Sequence, residues 1–95
     1  MTAAEADCRA VLEIQNRLGL HARAAVLLVQ TATRFDAEVL VGKDGQTVSG
    51  RSIMGVMTLA ATQGSTIEVM TRGPQAAEAL EAIRELVAAK FNEPN

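Results

Sequence analysis

One histidine and one arginine, two positions apart, are the residues of this 95-residue chain best suited to chemistry. His21 is the only histidine, and Arg23 follows it after a single alanine. A neutral imidazole is a competent nucleophile near neutral pH and can form covalent intermediates. A guanidinium beside it would stabilise the charge of a phosphoryl group arriving on the ring. The pair therefore predicts a phosphoryl-accepting site. The alternative is that His21 is an ordinary loop residue and Arg23 a solvated charge.

The segment around this pair has the charge pattern of an anion site. Apolar residues recur at helical spacing over residues 22–33, which predicts a helix that begins just after His21. Acidic side chains usually occupy the first turn of a helix, yet residues 14–35 contain no acid. A cation in the first turn costs about 0.3–1 kcal/mol, so Arg23 is unfavourable there unless it serves an anion. Gly19 permits a tight turn just before the helix.

A second short helix is predicted to begin at Ser52. A serine at this position is usually an N-cap, worth about 1 kcal/mol. It could also be a phosphorylation site, since a phosphate at a helix N-terminus is tolerated and changes a docking surface. Four apolar residues in the five that follow are too many for one buried face. We expect Met54, and Ile53 or Met57 with it, to form an exposed partner-docking patch. The alternative is a stripe packed in the core.

Composition excludes several classes of protein. The formal net charge is −2 and only two residues are aromatic, which disfavours nucleic-acid binding. One histidine and one cysteine make a metal site improbable. The lone Cys8 excludes an internal disulfide and is interpreted as an incidental thiol. The acidic first residues do not form a secretory signal, and no apolar run could insert into a membrane. These observations favour a cytoplasmic protein.

The elements that must position these residues follow from hydrophobic periodicity. Alternation predicts strands, and 3.6-residue spacing predicts helices. The strands are predicted at residues 9–15, 37–41, 46–49 and 66–71, with a turn at 43–45. Helices are predicted at 22–33, at 52–60, and from Gly73-Pro74 through a stripe that ends at Phe91. The order β-α-β-β-α-β-α is that of a split βαβ unit. It predicts a two-layer α/β sandwich: a four-stranded antiparallel sheet with three helices on one face.

The opposite face of that sheet should be solvated. The side chains expected on this open face are Arg9, Glu13, Glu38, Thr66 and Glu68. The chain is expected to form one domain over residues 1–95, with residues 1–7 and 93–95 loose.

Two segments resemble a known family. Residues 16–25, NRLGLHARAA, resemble the active-site signature of HPr, the histidine-containing phosphocarrier of the phosphoenolpyruvate-dependent phosphotransferase system. Residues 50–59, GRSIMGVMTL, resemble the second HPr signature, around its regulatory serine. The resemblance extends over about residues 9–92. It implies an open-faced sandwich of four antiparallel strands and three helices, in agreement with the predicted order of elements.

The resemblance implies roles for particular residues. His21 would take a phosphoryl group on Nδ1 from enzyme I, which phosphoenolpyruvate charges, and pass it to enzyme IIA domains. Arg23 would stabilise the phosphoryl group, together with the backbone N–H groups of Ala22 and Arg23. Ser52 would be the target of an HPr kinase/phosphorylase. The protein would be a carrier and not an enzyme, without a cofactor, and a monomer. The expected partner interface consists of Arg17, Leu20, Ala24, Arg51, Ile53, Met54 and Met57.

One departure and three alternatives stay open. The family usually has proline where this chain has Ala24, and we expect the helical turn to survive because alanine is a good helix former. The chain could be a nitrogen-type phosphorelay paralogue that uses His21 on regulators. It could also be an interaction module that is not phosphorylated, or a small RNA- or ligand-binding module on a related scaffold.

Overall fold

The computed structural model describes residues 1–94 and contains four strands and three α-helices in the order β-α-β-β-α-β-α. The elements are β1 Cys8–Glu13, α1 Ala22–Thr33, β2 Glu38–Lys43, β3 Gln46–Ser49, α2 Ile53–Thr58, β4 Thr66–Arg72 and α3 Ala76–Ala88. Two short 3₁₀ turns, Ala3–Glu5 and Lys90–Asn92, flank them. The predicted fold class and element order are confirmed.

The four strands form one antiparallel sheet in the order β1-β4-β2-β3. The register pairs Leu12 with Ile67, and Val41 with Val69. All four side chains are buried, because alternate residues of each strand point to the same face and that face is covered by the helices. Burial of each such side chain contributes about 1.5–3 kcal/mol. The sheet thus provides the floor on which the three helices pack.

The helices contribute the other half of a continuous core. Leu28 of α1, Val56 of α2 and Ile83 of α3 are fully buried. Helix α1 packs against both α2 and α3. Within residues 1–94, no helix combines the length and apolar character needed to span a membrane.

The open face of the sheet carries the residues expected there. Arg9, Glu13, Glu38 and Thr66 are exposed. Glu68 is half-buried, because its carboxylate is paired with the Arg9 guanidinium on the neighbouring strand. Alternation along the strands correctly identified the two faces of the sheet.

Several element boundaries differ from prediction. Helix α2 ends at Thr58 rather than near residue 60, since Ala60 adopts a left-handed conformation (φ 50°) that cannot continue a helix. Helix α3 begins at Ala76 with Gln75 as its N-cap, so Pro74 precedes the helix and does not open it. Strands β1 and β2 are displaced by one or two residues relative to their predicted bounds.

The largest difference is at the end of α3. Phe91 was predicted on the helical stripe, but the helix ends at Ala88. Lys90, Phe91 and Asn92 then form a left-handed turn with φ values of 57°, 53° and 56°. Each non-glycine residue in this region costs about 1–2 kcal/mol. The Phe91 side chain is nonetheless 1% exposed, and its burial in the core offsets part of that cost.

Both ends of the described chain make specific contacts. The Thr2 N–H donates to Glu5 Oε1 at 2.8 Å, and hydrogen bonding to Thr2 holds the pKa of Glu5 below its ordinary value. The Gly73 N–H donates to Asp7 Oδ2 at 2.9 Å. Glu93 contacts the loop before α1. The expected looseness of residues 1–7 and 93–95 stays a prediction about mobility, and Asn95 lies outside the described residues.

Candidate functional site

A buried asparagine stabilises the loop that precedes α1 through side-chain hydrogen bonds. Asn16 Nδ2 donates to the Gly19 carbonyl at 2.8 Å and to Glu93 Oε2 at 2.7 Å. Gly19 is left-handed (φ 66°), and a Cβ on it would lie 2.3 Å from the Ala61 carbonyl oxygen. The next residue, Leu20, donates its N–H to that same oxygen at 2.9 Å. Glycine is therefore required where the loop passes against the α2–β4 connection.

His21 is the N-cap of α1. Its backbone is extended, and its Nδ1 accepts a hydrogen bond from the Arg23 N–H at 3.2 Å. A ring nitrogen that accepts a hydrogen bond carries a lone pair, so Nδ1 is unprotonated in this arrangement and Nε2 carries the proton. The imidazole is partly exposed. The nitrogen named by the resemblance is thus the one with a lone pair, and it faces the free end of the helix.

The surroundings of His21 favour an anion. The first turn of α1 contains no acid, as the sequence predicted. The side chains of Arg17 and Arg23 are exposed and, within residues 1–94, neither guanidinium has a hydrogen-bond or ion-pair partner. Both are therefore free to bind a negatively charged group. A shallow pocket of about 290 Å³ at this point is lined by Arg17, Leu18, His21, Arg23, Glu93 and Pro94.

The replacement of the usual proline by Ala24 leaves the helix intact. Helix α1 is regular from Ala22, as expected for a residue with high helix propensity. Ala24 itself is buried.

Sequence reasoning missed three residues of the site. Asn16 was assigned only to a loop, although it is almost fully buried and organises that loop. Leu18 is exposed beside His21. Glu93 was placed in a loose terminus, yet its carboxylate reaches a segment more than 70 residues earlier in the chain. No local pattern indicates such a contact, because it depends on the left-handed turn after α3.

The second candidate segment is organised by Ser52. Its Oγ accepts a hydrogen bond from the Gly55 N–H at 3.0 Å, which confirms the N-cap interpretation. Val56 alone of this helix faces the core. Met54 is 74% exposed, Ile53 40% and Met57 39%. The predicted exposure of these three side chains is confirmed, whereas their use in docking stays a prediction. We call them the α2 patch.

Three residues expected at the partner interface make contacts within the chain, and of these Arg51 is also exposed. The Arg51 guanidinium donates to the carbonyl oxygens of Phe35 (3.1 Å) and Ala37 (2.9 Å), so it fastens the segment before α2 to the connection after α1. The side chains of Leu20 and Ala24 are buried in the core. They cannot offer side-chain contacts to a partner without repacking, which corrects the expectation for these two residues. Their apolar character reflects packing instead.

The comparisons with known proteins agree with this site and fold. A family model described as the PTS HPr component phosphorylation site matches residues 8–89. The phosphocarrier protein HPr of Neisseria meningitidis serogroup A is 49% identical over 82 residues, which cover 86% of this chain and 92% of the relative.

Two solved structures of this family superpose closely. HPr-C-His from Thermoanaerobacter tengcongensis has a TM-score of 0.88 at 40% identity, covering 93% of this chain and 99% of that one. HPr from Bacillus anthracis has a TM-score of 0.79 at 45% identity, covering 82% and 93%. This chain belongs to the HPr family, the phosphocarrier proteins of the phosphotransferase system. It is a carrier of phosphoryl groups rather than a catalyst.

Proposed function

We propose that His21 accepts a phosphoryl group on Nδ1 from phosphorylated enzyme I and passes it to enzyme IIA domains. The observation that carries this proposal is the position of Nδ1, whose lone pair lies at the acid-free start of α1 and accepts the Arg23 N–H there. The exposed side chains of Arg17 and Arg23 line the same pocket. The relatives named phosphocarrier protein HPr support the same role.

The chemical step is a direct displacement at phosphorus. The Nδ1 lone pair forms the new N–P bond, while the bond from phosphorus to the donor breaks and its electron pair stays with the donor. The Arg23 N–H, which Nδ1 engages before transfer, becomes available to a phosphoryl oxygen. The Ala22 N–H and the Arg23 guanidinium would complete an anion cradle at the helix terminus. Delivery to enzyme IIA is a second displacement: the acceptor forms the new bond to phosphorus, and the N–P bond breaks with its electron pair returning to Nδ1.

Arg23→Ala tests whether the guanidinium serves the phosphoryl group. We expect transfer from phospho-enzyme I to slow roughly 10- to 100-fold, since a charge-assisted bond in the transition state is lost. The melting temperature should stay the same or rise slightly, because a cation leaves the first turn. Arg34→Ala, an exposed arginine at the other end of α1, is the control and should transfer normally. Normal transfer by Arg23→Ala would remove this residue from the site.

We propose further that Ser52 is a regulatory phosphorylation site for an HPr kinase/phosphorylase. Its Oγ lies at the start of α2 and next to the α2 patch. A phosphate there would add about two negative charges beside an apolar docking surface while remaining acceptable to the helix N-terminus. The added charge would weaken docking of enzyme I without unfolding α2.

Two substitutions separate capping from charge. Ser52→Asp keeps an N-cap acceptor and adds a negative charge, whereas Ser52→Ala removes the cap and adds none. We expect Ser52→Asp to raise KM for phosphorylation by enzyme I several-fold with little change in melting temperature. Ser52→Ala should lose about 1 kcal/mol of stability and keep its KM. Equal KM values for both variants would contradict a regulatory role.

The α2 patch is proposed as the docking surface for enzyme I and for enzyme IIA domains. The chain is proposed to act as a monomer in the cytoplasm. Met54 provides the largest exposed apolar area of the patch. Met54→Glu should raise KM roughly tenfold and leave kcat unchanged, because docking and not the reacting atoms is altered. Val11→Glu is a matched control, since Val11 is 65% exposed on the open sheet face. A similar KM for both variants would exclude the patch.

A further inference from the structure

The side-chain carboxylate of Glu93, close to the end of the chain, makes contacts that a loose terminus would not make. Its side chain is only 9% exposed. Oε2 accepts from Asn16 Nδ2 at 2.7 Å, and Oε1 accepts from the Leu18 N–H at 3.2 Å. Oε2 also lies 3.9 Å from His21 Nε2. One carboxylate thus joins three residues of the loop that carries the histidine.

The Glu93 carboxylate lies on the side of the imidazole ring that carries the proton. Nδ1 accepts the Arg23 N–H, so the proton of the neutral ring is on Nε2, the nitrogen nearest Glu93. A carboxylate facing an Nε2–H favours this tautomer and disfavours rotation of the ring. When Nδ1 attacks phosphorus, positive charge develops on the imidazole, and the carboxylate lies on the opposite side of the ring from the new bond.

The backbone before Glu93 is built to hold it there. The left-handed turn of residues 90–92 is anchored by the buried Phe91 side chain. The Glu93 N–H donates to the Lys90 carbonyl at 3.0 Å. The donor side of the contact is held as well, because Asn16 Nδ2 also donates to the Gly19 carbonyl. Each partner of the contact therefore makes a further hydrogen bond within its own segment.

We propose that Glu93 is a positioning residue for phosphoryl transfer. It fixes the loop of residues 16–20 and keeps the Nε2–H tautomer of His21, which leaves the Nδ1 lone pair available to phosphorus. This proposal rests on the proposed function for its kinetic consequence. Its structural consequence, the tautomer of the imidazole, does not depend on any partner.

The test compares Glu93→Ala, Glu93→Gln and Glu85→Ala. Glu85 is an exposed carboxylate on α3, so its removal controls for a general loss of negative charge. Three quantities are measured for each protein: the populations of the two neutral tautomers by ¹⁵N NMR of the imidazole, kcat and KM for phosphorylation by enzyme I, and the melting temperature. Glutamine retains one oxygen acceptor for the loop but lacks the charge that faces Nε2.

We expect Glu93→Ala to lower kcat roughly five- to tenfold with KM changed by less than about twofold. The share of the Nε2–H tautomer should fall as well. Glu93→Gln should keep the Leu18 amide chemical shift near its wild-type value and still lower kcat, while Glu85→Ala should match the wild type in all three quantities.

Two results would overturn the proposal. One is an unchanged tautomer population in Glu93→Ala. The other is a kcat that stays at the wild-type value while the wild-type protein is phosphorylated on His21. If the wild type is not phosphorylated at all, the proposed function fails, and the tautomer measurement still decides the role of Glu93.

Discussion

Substitution of Gly19 by alanine is the most informative perturbation of the loop that carries His21. Two costs are expected. Alanine at φ 66° is in the left-handed region, which costs about 1–2 kcal/mol. The new Cβ would also lie 2.3 Å from the Ala61 carbonyl oxygen, and backbone must move to relieve that overlap. Overpacking of this kind costs about 1–3 kcal/mol, so the total is roughly 2–5 kcal/mol.

Gly64→Ala isolates the first of these costs. Gly64 has φ 88°, but a Cβ there meets nothing within 4 Å. It should therefore lose only about 1–2 kcal/mol. Chemical denaturation of both variants gives the difference, which is the cost of the close approach at Gly19. We also expect Gly19→Ala to transfer phosphoryl groups slowly even when fully folded, because the loop must shift away from Ala61. A Gly19→Ala protein as stable as Gly64→Ala would refute this reasoning.

Three further substitutions are tested by thermal or chemical denaturation. They lie in the α2–β4 connection, in the loop before α1 and in the turn after α3. Ala60→Gly should raise stability by about 0.5 kcal/mol, since relief of the left-handed alanine exceeds the added entropy of the unfolded chain; a loss of stability would contradict the strain argument. Asn16→Asp should lose about 2–4 kcal/mol, because both donated hydrogen bonds vanish and a second carboxylate faces Glu93; near-wild-type stability would exclude the contact. Phe91→Ala should lose about 3–5 kcal/mol of stability. It should also lower kcat for phosphorylation by enzyme I, because the turn that positions Glu93 is released. An unaffected kcat would show that this turn does not contribute to phosphoryl transfer.

Much of the fold could be predicted because its signals are local. The stripe of residues 22–33 and the alternation around Val41 and Val69 each follow from one segment of sequence. Antiparallel pairing and a one-sided helical layer then follow from the need to cover apolar faces. Two of the errors in helix length occurred where a residue adopts a conformation that its type disfavours. Ala60 and Phe91 are both left-handed, and tertiary packing rather than propensity determines them.

The candidate site was predictable only in part. His21 and Arg23 are two positions apart in the sequence, and the absence of acidic residues around them is visible there. The contacts of Asn16 and Glu93 join residues 77 positions apart, so only the folded chain brings them together. Exposure was predicted well for Met54, because too many apolar residues surround it for a short helix to bury. For Leu20 the prediction was wrong: it was expected at the partner interface, but its apolar side chain faces the core.

Intact-mass spectrometry after incubation with enzyme I and phosphoenolpyruvate, combined with ³¹P NMR of the product, tests the central claim most directly. We predict one phosphoryl addition per chain, labile in acid, absent from His21→Ala and present in Glu85→Ala. The ³¹P signal should be that of a phosphohistidine substituted at Nδ1, the nitrogen that accepts the Arg23 N–H. A folded protein that gains no phosphoryl group from an active enzyme I, or one that gains it with His21 replaced, would contradict the account.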